Sequence, residues 1–327
     1  VFSRRGKTIG FFPHQRRGGT IQPLAAPMND YHGIISLPWK APDLEEAAEA
    51  LGAARLNLTA WVGPTALGQD RRTVQVELGS DGYDGWYAER RATHGKFFKD
   101  KERARRSMEA ELGPLRVEHD LRDPALLDWL IDLKRDQYRR TGRHDIFACG
   151  WTAELLHALL KEAGEGFGAS LAGLWAGDRL TAVEYSLHAG AQYHFWFPGY
   201  EPSLARCSPG ILLSMDTMRL AAEQGYRTFD FGFEGEHYKK YFCNGFKVVR
   251  EAVVLKPGLG ATMSQAAVGA LNLAGRGRGE QLRNSVRRRW AAIEACEVTP
   301  AARMKGAMQA AGAALAKVRA TANRVPA

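Results

Sequence analysis

The residues best suited to chemistry lie between His194 and Phe242. Lys239 stands in the run Tyr238-Lys239-Lys240-Tyr241-Phe242, where a cation can stabilise negative charge that develops beside it. The alternative for Lys239 is an ion pair with Glu236 or another surface carboxylate. His194, Asp230, Glu234, Glu236 and His237 all fall at strand ends or loops expected on one edge of a sheet, and each could take a proton from an attacking ammonium. The pattern ranks Asp230 first, because Phe231-Gly232 follows it directly; His194 and Glu236 come next.

Ser208-Pro209-Gly210-Ile211-Leu212 joins a loop to a helix. Proline is preset for a first helical turn, glycine lets another group approach, and free N–H groups at a helix start suit a pyrophosphate. Asn29-Asp30-Tyr31-His32-Gly33, with Tyr200 and Tyr238, offers polar and aromatic groups for a sugar or peptide acceptor; an Asx turn with Tyr31 packed on the core fits the first segment equally well. There is no P-loop, GxSxG or HExxH, and Asp230-Phe231-Gly232 lacks every other kinase element. The four cysteines, Cys149, Cys207, Cys243 and Cys296, have no metal-ligand or CxxC spacing and read as free thiols in a reducing compartment, with no metal site and no redox role.

The elements that must position these groups follow in order from Leu115. A strand over 115–119 precedes a helix capped by Asp123 with Pro124 in its first turn, running to about Arg140 with Leu126, Leu127, Leu130, Ile131 and Leu133 inward. A second helix carries Leu155, Leu156, Leu159 and Leu160. Strands over 169–175, 180–188 and 192–197 turn at Gly177-Asp178 and Ala189-Gly190, and a helix from Gly210 to about Gln224 follows. A strand over 228–231, a short helix around Tyr238 and a strand over 247–255 complete the unit. The first part of the chain repeats its later portion: strands near 6–11 and 20–24, a helix over 44–51 with Asp43 and Glu46 as capping box, and a strand from Arg55. Between the copies, 94–111 is a charged helix, either solvated or facing a polyanion through Lys96, Lys99, Lys101, Arg103, Arg105 and Arg106.

Four segments carry a family resemblance: Gln15 to Ile35, LKRDQYRRTGRHDIF (133–147), Tyr193 to Leu213, and Phe229 to Phe242. Over about residues 5–255 the chain resembles the CelD/BcsL acetyltransferases, GNAT-related proteins linked by name to cellulose and exopolysaccharide synthesis and akin to FemAB-like twin-GNAT transferases. The resemblance implies an α/β (α+β) fold of tandem GNAT-like acyl-CoA N-acyltransferase units, the first N-terminally truncated, followed by a helical tail. It implies acetyl-CoA or another acyl-CoA as co-substrate, direct transfer, and a donor site at Arg206, Ser208, Pro209, Gly210, Ile211 and Leu212. There Arg206 keeps the first position of the family's Q/R-x-x-G-x-G/A signature, while Pro209 and Ile211 replace its glycines. It also implies that Lys239 stabilises the oxyanion and that the first copy helps to wall the acceptor cleft.

Charge is distributed unevenly. Of the formal net charge of +9, all belongs to residues 256–327, with 12 Lys+Arg against 3 Asp+Glu; the rest is neutral at 33 against 33. Expected domains are 1–93 (partial first unit), 94–114 (connecting helix), 115–255 (donor-binding unit) and 256–327 (basic helical extension). In the extension, Leu282, Val286, Trp290 and Ile293 form one apolar face, and Met304, Met308, Ala311, Leu315 and Val318 another. Helix packing is the favoured reading of the tail; peripheral contact with the inner face of a membrane is the alternative, and nucleic acid is disfavoured because the body is neutral. Pro257 to Gly275 is uncharged but too polar to read as a membrane span. The sequence thus describes a cytoplasmic acyltransferase with a small-molecule or saccharide acceptor. The alternatives are an aminoacyl-tRNA-dependent FemAB-like transferase and a non-catalytic module of a polysaccharide-synthase complex. The missing opening strand and helices of the first copy lead us to expect about 60 to 90 further residues before Val1, by ordinary domain size.

Overall fold

A computed structural model describes residues 1–162, 164, 166–255 and 279–322, without the side chains of 38, 279–285 and 313–322. Pro257 to Gly275 and the side chains of Leu282, Leu315 and Val318 lie outside the described residues. The chain divides into two compact units, Val1–Arg71 with Tyr138–Thr152 and Val249–Ala327, and Arg72–Gln137 with Ala153–Val248.

In chain order the first half contributes β1 (Phe2–Arg4), β2 (Lys7–Phe11), β3 (His14–Arg17), β4 (Thr20–Pro23), β5 (Ile35–Ser36), α1 (Leu44–Leu51), β6 (Arg55–Trp61), β7 (Gln69–Glu77), α2 (Gly82–Thr93) and α3 (Gly95–Leu112). The second contributes β8 (Leu115–Leu121), α4 (Pro124–Thr141), α5 (Trp151–Lys161), β9 (Gly168–Ala176), β10 (Arg179–Ala189), β11 (Gln192–Tyr200), α6 (Pro209–Glu223), β12 (Thr228–Phe233), α7 (Lys239–Phe242) and β13 (Gly245–Leu255). The tail forms α8 (Gly279–Cys296) and α9 (Pro300–Ala322).

In the second unit the strand order is β7-β12-β11-β10-β9-β8. Strands β8 to β11 form an antiparallel meander, with Gly177 (φ 56°) and Gly190 (φ 55°) supplying the left-handed residue of each hairpin. Helix α6 then carries the chain back, so that β12 runs parallel to β11. Apolar α6 residues Leu212, Leu213, Met215 and Met218 are buried, Leu212 and Leu213 in a cluster with Leu174 and Met108, Met215 and Met218 in another with Phe229 and Trp86. Charged α3 is not merely a solvated rod. It buries Phe98 and Met108, and two of its charges pair locally, Arg105 with Asp216 at 2.8 Å and Glu102 with Arg91 at 2.7 Å.

The first unit repeats the motif. Antiparallel β3–β4 leads through α1 to β6, parallel to β4 at Thr20↔Arg55 and Ile21↔Leu56. Asp43 caps α1, its Oδ1 accepting from the Glu46 amide at 2.8 Å, and Gly52 ends the helix in the left-handed region. Phe12, Ile21, Leu44, Leu56, Leu58 and Trp61 form its core.

Each compact unit draws strands from both halves of the sequence. Strand β7, from the first half of the sequence, is the antiparallel neighbour of β12 in the second unit. The later part of β13, from the second half, pairs with β6 in the first. Each parallel strand thus gains a partner on its other side from the opposite half of the sequence, which satisfies an otherwise exposed edge.

The tail packs differently from its expected faces. In α8, Val286 and Trp290 are exposed while Ile293 through Cys296 are buried. Buried Glu294 accepts from Thr20 Oγ1 (3.1 Å) and Gln22 Nε2 (3.4 Å) and pairs with Arg55, so α8 docks through a polar anchor. Met304 and Met308 of α9 are also exposed; among the described side chains of the helix Gly306 is the buried position, lying against Ile293. Small residues permit the closer approach, which leaves the methionines outside.

Candidate functional site

Strands β11 and β12 pair only from Gln192↔Thr228 to His194↔Asp230. Beyond that point β11 continues beside β10 to Tyr200↔Ala182, while β12 continues to Phe233↔Thr73 on β7. Two parallel strands that part expose backbone groups which a ligand with its own amides can satisfy.

Two of the expected bases meet where the strands part. His194 Nδ1 lies 3.6 Å from Asp230 Oδ1. Asp230 is buried and held from two sides: its Oδ1 accepts from the Gly232 amide at 2.7 Å and its Oδ2 from Gln75 Nε2 at 3.1 Å. With both oxygens accepting, Asp230 is suited to orient an imidazole more than to receive a substrate proton itself.

Glu236 is placed apart from that pair, at 2.7 Å from Lys239 Nζ. The same ammonium donates to the carbonyls of Phe231 (2.6 Å) and Phe233 (2.7 Å) at the end of β12. Three acceptors match the three protons of an ammonium. The expected alternative, an ion pair with Glu236, is thus present, and donating to an oxyanion would require this ammonium to give up one of its three partners. Lys240 instead lies over the Tyr241 ring, 4.9 Å from its centroid.

The expected donor segment is only partly configured for an anion. Ser208 is left-handed (φ 53°), and its carbonyl accepts the amides of both Ile211 (3.0 Å) and Leu212 (3.2 Å). Pro209 has no N–H, so the first turn offers the Gly210 amide instead of a run of donors. Leu212 points into the core. Arg206 is exposed and pairs with Glu111 at 2.5 Å. A cation arrives from α3 instead: Lys101 Nζ donates to Ser208 Oγ at 2.7 Å, with burial pulling its pKa below the ordinary lysine value. Tyr200 covers Gly210, where a Cβ would lie 3.3 Å from the ring.

Two clefts flank these groups. One of about 710 Å³ is lined by His94, Phe97, Lys101, Ile211, His237, Tyr238 and Tyr241, among others. The second, about 600 Å³, is lined by Arg90, Glu234, Glu236, His237, Lys239 and Lys240 among others, so His237 borders both. Phe97 stacks on Tyr241 with ring centroids 4.3 Å apart. Tyr238 reaches back to Phe231, the neighbour of Asp230, at 6.5 Å between centroids, and burial raises its pKa.

The acceptor residues expected in the first copy belong to the other unit. His32 is in its core, stacked on Phe12 at 5.0 Å and edge-on to Trp61 at 5.3 Å, and burial pushes its pKa down to about 4. Asn29 Nδ2 donates to the Tyr31 carbonyl at 3.1 Å, a local turn contact. Asp30 adds its charge to the surroundings of Arg71.

Glu184 on β10 was missed by the sequence reading. It is fully buried, Ser214 Oγ donates to its Oε2 at 2.8 Å, and desolvation pushes its pKa up to about 8. The available signal was a lone carboxylate in the apolar strand Ala182-Val183-Glu184-Tyr185. Gln75 was missed as well, because β7 itself was.

Residues 95–240 match the family model described as Acetyltransferase (GNAT) domain. No curated protein matches the sequence. Among solved structures, the C-terminal domain (DUF2156) of a putative lysylphosphatidylglycerol synthetase from Agrobacterium fabrum is similar at 14% identity, covering 83% of this chain and 88% of that one, with TM-score 0.46. FemX is similar at 11% identity, over 77% of this chain and 85% of its own, with TM-score 0.45. A GCN5-related N-acetyltransferase from Kribbella flavida is similar at 10% identity, over 77% and 59%, with TM-score 0.33. Residues 95–240 are thus similar to a GNAT-type acetyltransferase domain, and the fold is mixed α/β with a β-α-β motif that occurs twice, followed by tail helices.

Proposed function

We propose that the protein transfers an acyl group from an acyl-CoA, acetyl-CoA foremost, to an amine or hydroxyl of a small-molecule or saccharide acceptor. The observation that carries this reading is the His194–Asp230 pair at the point where β11 and β12 part. Asp230 orients the imidazole, and His194 accepts the proton from the acceptor as its nitrogen or oxygen attacks the thioester carbon. The C–S bond then breaks, and CoA leaves with a proton. Backbone N–H groups on the diverging edge are available to the oxyanion. Lys101 and the Gly210 amide bind the pyrophosphate, and Phe97, Ile211 and Tyr238 line the path of the pantetheine arm.

The resemblance to CelD/BcsL proteins points to precursors of cellulose or another exopolysaccharide as acceptors, handled on the cytoplasmic side of the membrane. None of the described helices is long and apolar enough to cross a membrane. Arg287 (2.7 Å) and Arg288 (3.7 Å) of α8 both pair with Glu251, which leaves less of their charge to a tRNA or lipid surface.

Calorimetric titration of acetyl-CoA and longer acyl-CoAs into the wild type, Lys101→Ala and His194→Gln tests the reading. Loss of Lys101 weakens donor binding about 10-fold, the effect of one charge-assisted hydrogen bond. His194→Gln leaves donor Kd unchanged and lowers kcat roughly 100-fold or more. Salt-sensitive binding of aminoacyl-tRNA without acyl-CoA binding would replace this proposal with the tRNA-dependent reaction. Binding of neither would leave a non-catalytic module.

A further inference from the structure

Cys149 and Cys296 stand far apart in the sequence, yet their sulfurs share one acceptor. Cys149 Sγ lies 3.1 Å from the Ile146 carbonyl oxygen and Cys296 Sγ lies 4.0 Å from the same atom. Both belong to the first unit, Cys149 in the segment before α5 and Cys296 at the last residue of α8. Both are free thiols; Cys149 is partly exposed and Cys296 is buried. We propose that Cys149 and Cys296 form an oxidisable dithiol, a modification site at which a peroxide converts the pair to a disulfide that tethers α8 to the 146–149 turn.

The roles of the two sulfurs follow from their surroundings. The neighbouring Cys296 and Thr152 side chains, the latter with Oγ1 3.7 Å from Cys149 Sγ, favour the thiolate of Cys149 and hold its pKa below the ordinary cysteine value. The neighbouring Cys149, then burial and the Glu297 and Asp145 charges, hold Cys296 above it. The partly exposed, more acidic sulfur is the nucleophile, and the buried one resolves. A cleft of about 350 Å³ bordered by Arg143, His144, Ala148 and Gly306 opens beside this turn, and Cys149 itself is partly exposed to a small oxidant. In the first step the Cys149 thiolate attacks one peroxide oxygen; the O–O bond breaks and, after protonation, leaves a sulfenic acid and water. The Cys296 sulfur then attacks the Cys149 sulfur, the S–O bond breaks, and a second water departs with the thiol proton. Two thiols are oxidised by two electrons and one hydrogen peroxide is reduced to two waters. A thiol reductant reverses the step.

Cys207 and Cys243 provide internal controls. Cys207 is buried in the core with Leu212 and Leu213, and burial raises the Cys243 pKa to about 12. Full-length protein is treated with about one equivalent of hydrogen peroxide, alkylated in denaturant and digested with trypsin without reduction. The expected product joins the peptide His144 to Lys161 to the peptide Trp290 to Arg303, while Cys207 and Cys243 remain alkylated. Its mass is ~2 Da below the sum of the two thiol peptides, and dithiothreitol separates them. In Cys296→Ser the resolving sulfur is missing, so Cys149 accumulates as a sulfenic acid that dimedone captures. A wild-type map in which both Cys149 and Cys296 remain alkylated overturns the proposal. So does a disulfide drawn from Cys207 or Cys243, or Cys149 over-oxidised while Cys296 keeps its thiol.

Discussion

At the scale of single residues, Glu184 combines complete burial with an ionisable group and, among the described residues, one hydrogen-bond donor, Ser214. Its folded pKa, about 8, lies above the ordinary value of 4.5. The folded state therefore holds a proton that the unfolded chain releases, and stability falls as pH rises between those two values. Glu184→Gln keeps a neutral hydrogen-bonding side chain and removes this penalty. Its thermal midpoint should match that of the wild type near pH 4 to 5 and exceed it progressively towards pH 8, with a gain on the order of 1 to 3 kcal/mol once relaxation is allowed for. Midpoints measured across that range decide it; parallel curves would mean that Glu184 ionises freely. The carboxylate is visible in the sequence, but its environment is not, since Ser214 and the packed aromatic core come from later elements.

At the scale of elements, Lys239 closes the end of β12. Its ammonium satisfies two carbonyls on the strand and the Glu236 carboxylate on the following turn. Lys239→Met should therefore lower stability by roughly 2 kcal/mol, because two carbonyls lose a charged donor, in addition to slowing turnover. Lys240→Met should be nearly silent on both. Denaturant unfolding and kcat measured on the two variants separate the roles. A large kcat loss with unchanged stability would mean that the lysine acts on the oxyanion alone. The motif around Lys239 is legible in the sequence, whereas its partners are backbone atoms, which every residue possesses and no side-chain pattern announces.

At the scale of the whole molecule, residues distant in sequence complete each unit. Glu294, near the chain's end, is anchored on Thr20, Gln22 and Arg55. Glu294→Ala removes the acceptor and leaves a guanidinium and two buried polar groups without it. The expected loss is about 2 to 4 kcal/mol, with lower exchange protection in α8 and β4. Urea unfolding followed by hydrogen exchange measures both; unchanged protection in α8 would show that the helix is held by other contacts.

The sequence by itself determined the local elements and their order from Leu115 to Leu255. Apolar periodicity, Asp43 and Asp123 caps, and the Gly177 and Gly190 turns are local signals that act within a few residues. It also singled out His194, Asp230, Lys239 and the Ser208 turn. Strand β7 escaped because its buried Thr73 and Gln75 are polar and its charged end hides the alternation. Only the tertiary structure decided that β7 and β13 each join the opposite half's unit, that Lys101 reaches Ser208, that Asp230 lies beside His194, and that Cys149 and Cys296 approach one carbonyl, that of Ile146. Each of those outcomes is a pairing of groups far apart along the chain. Hydrogen-bond satisfaction and burial select such pairings only once the whole chain has folded.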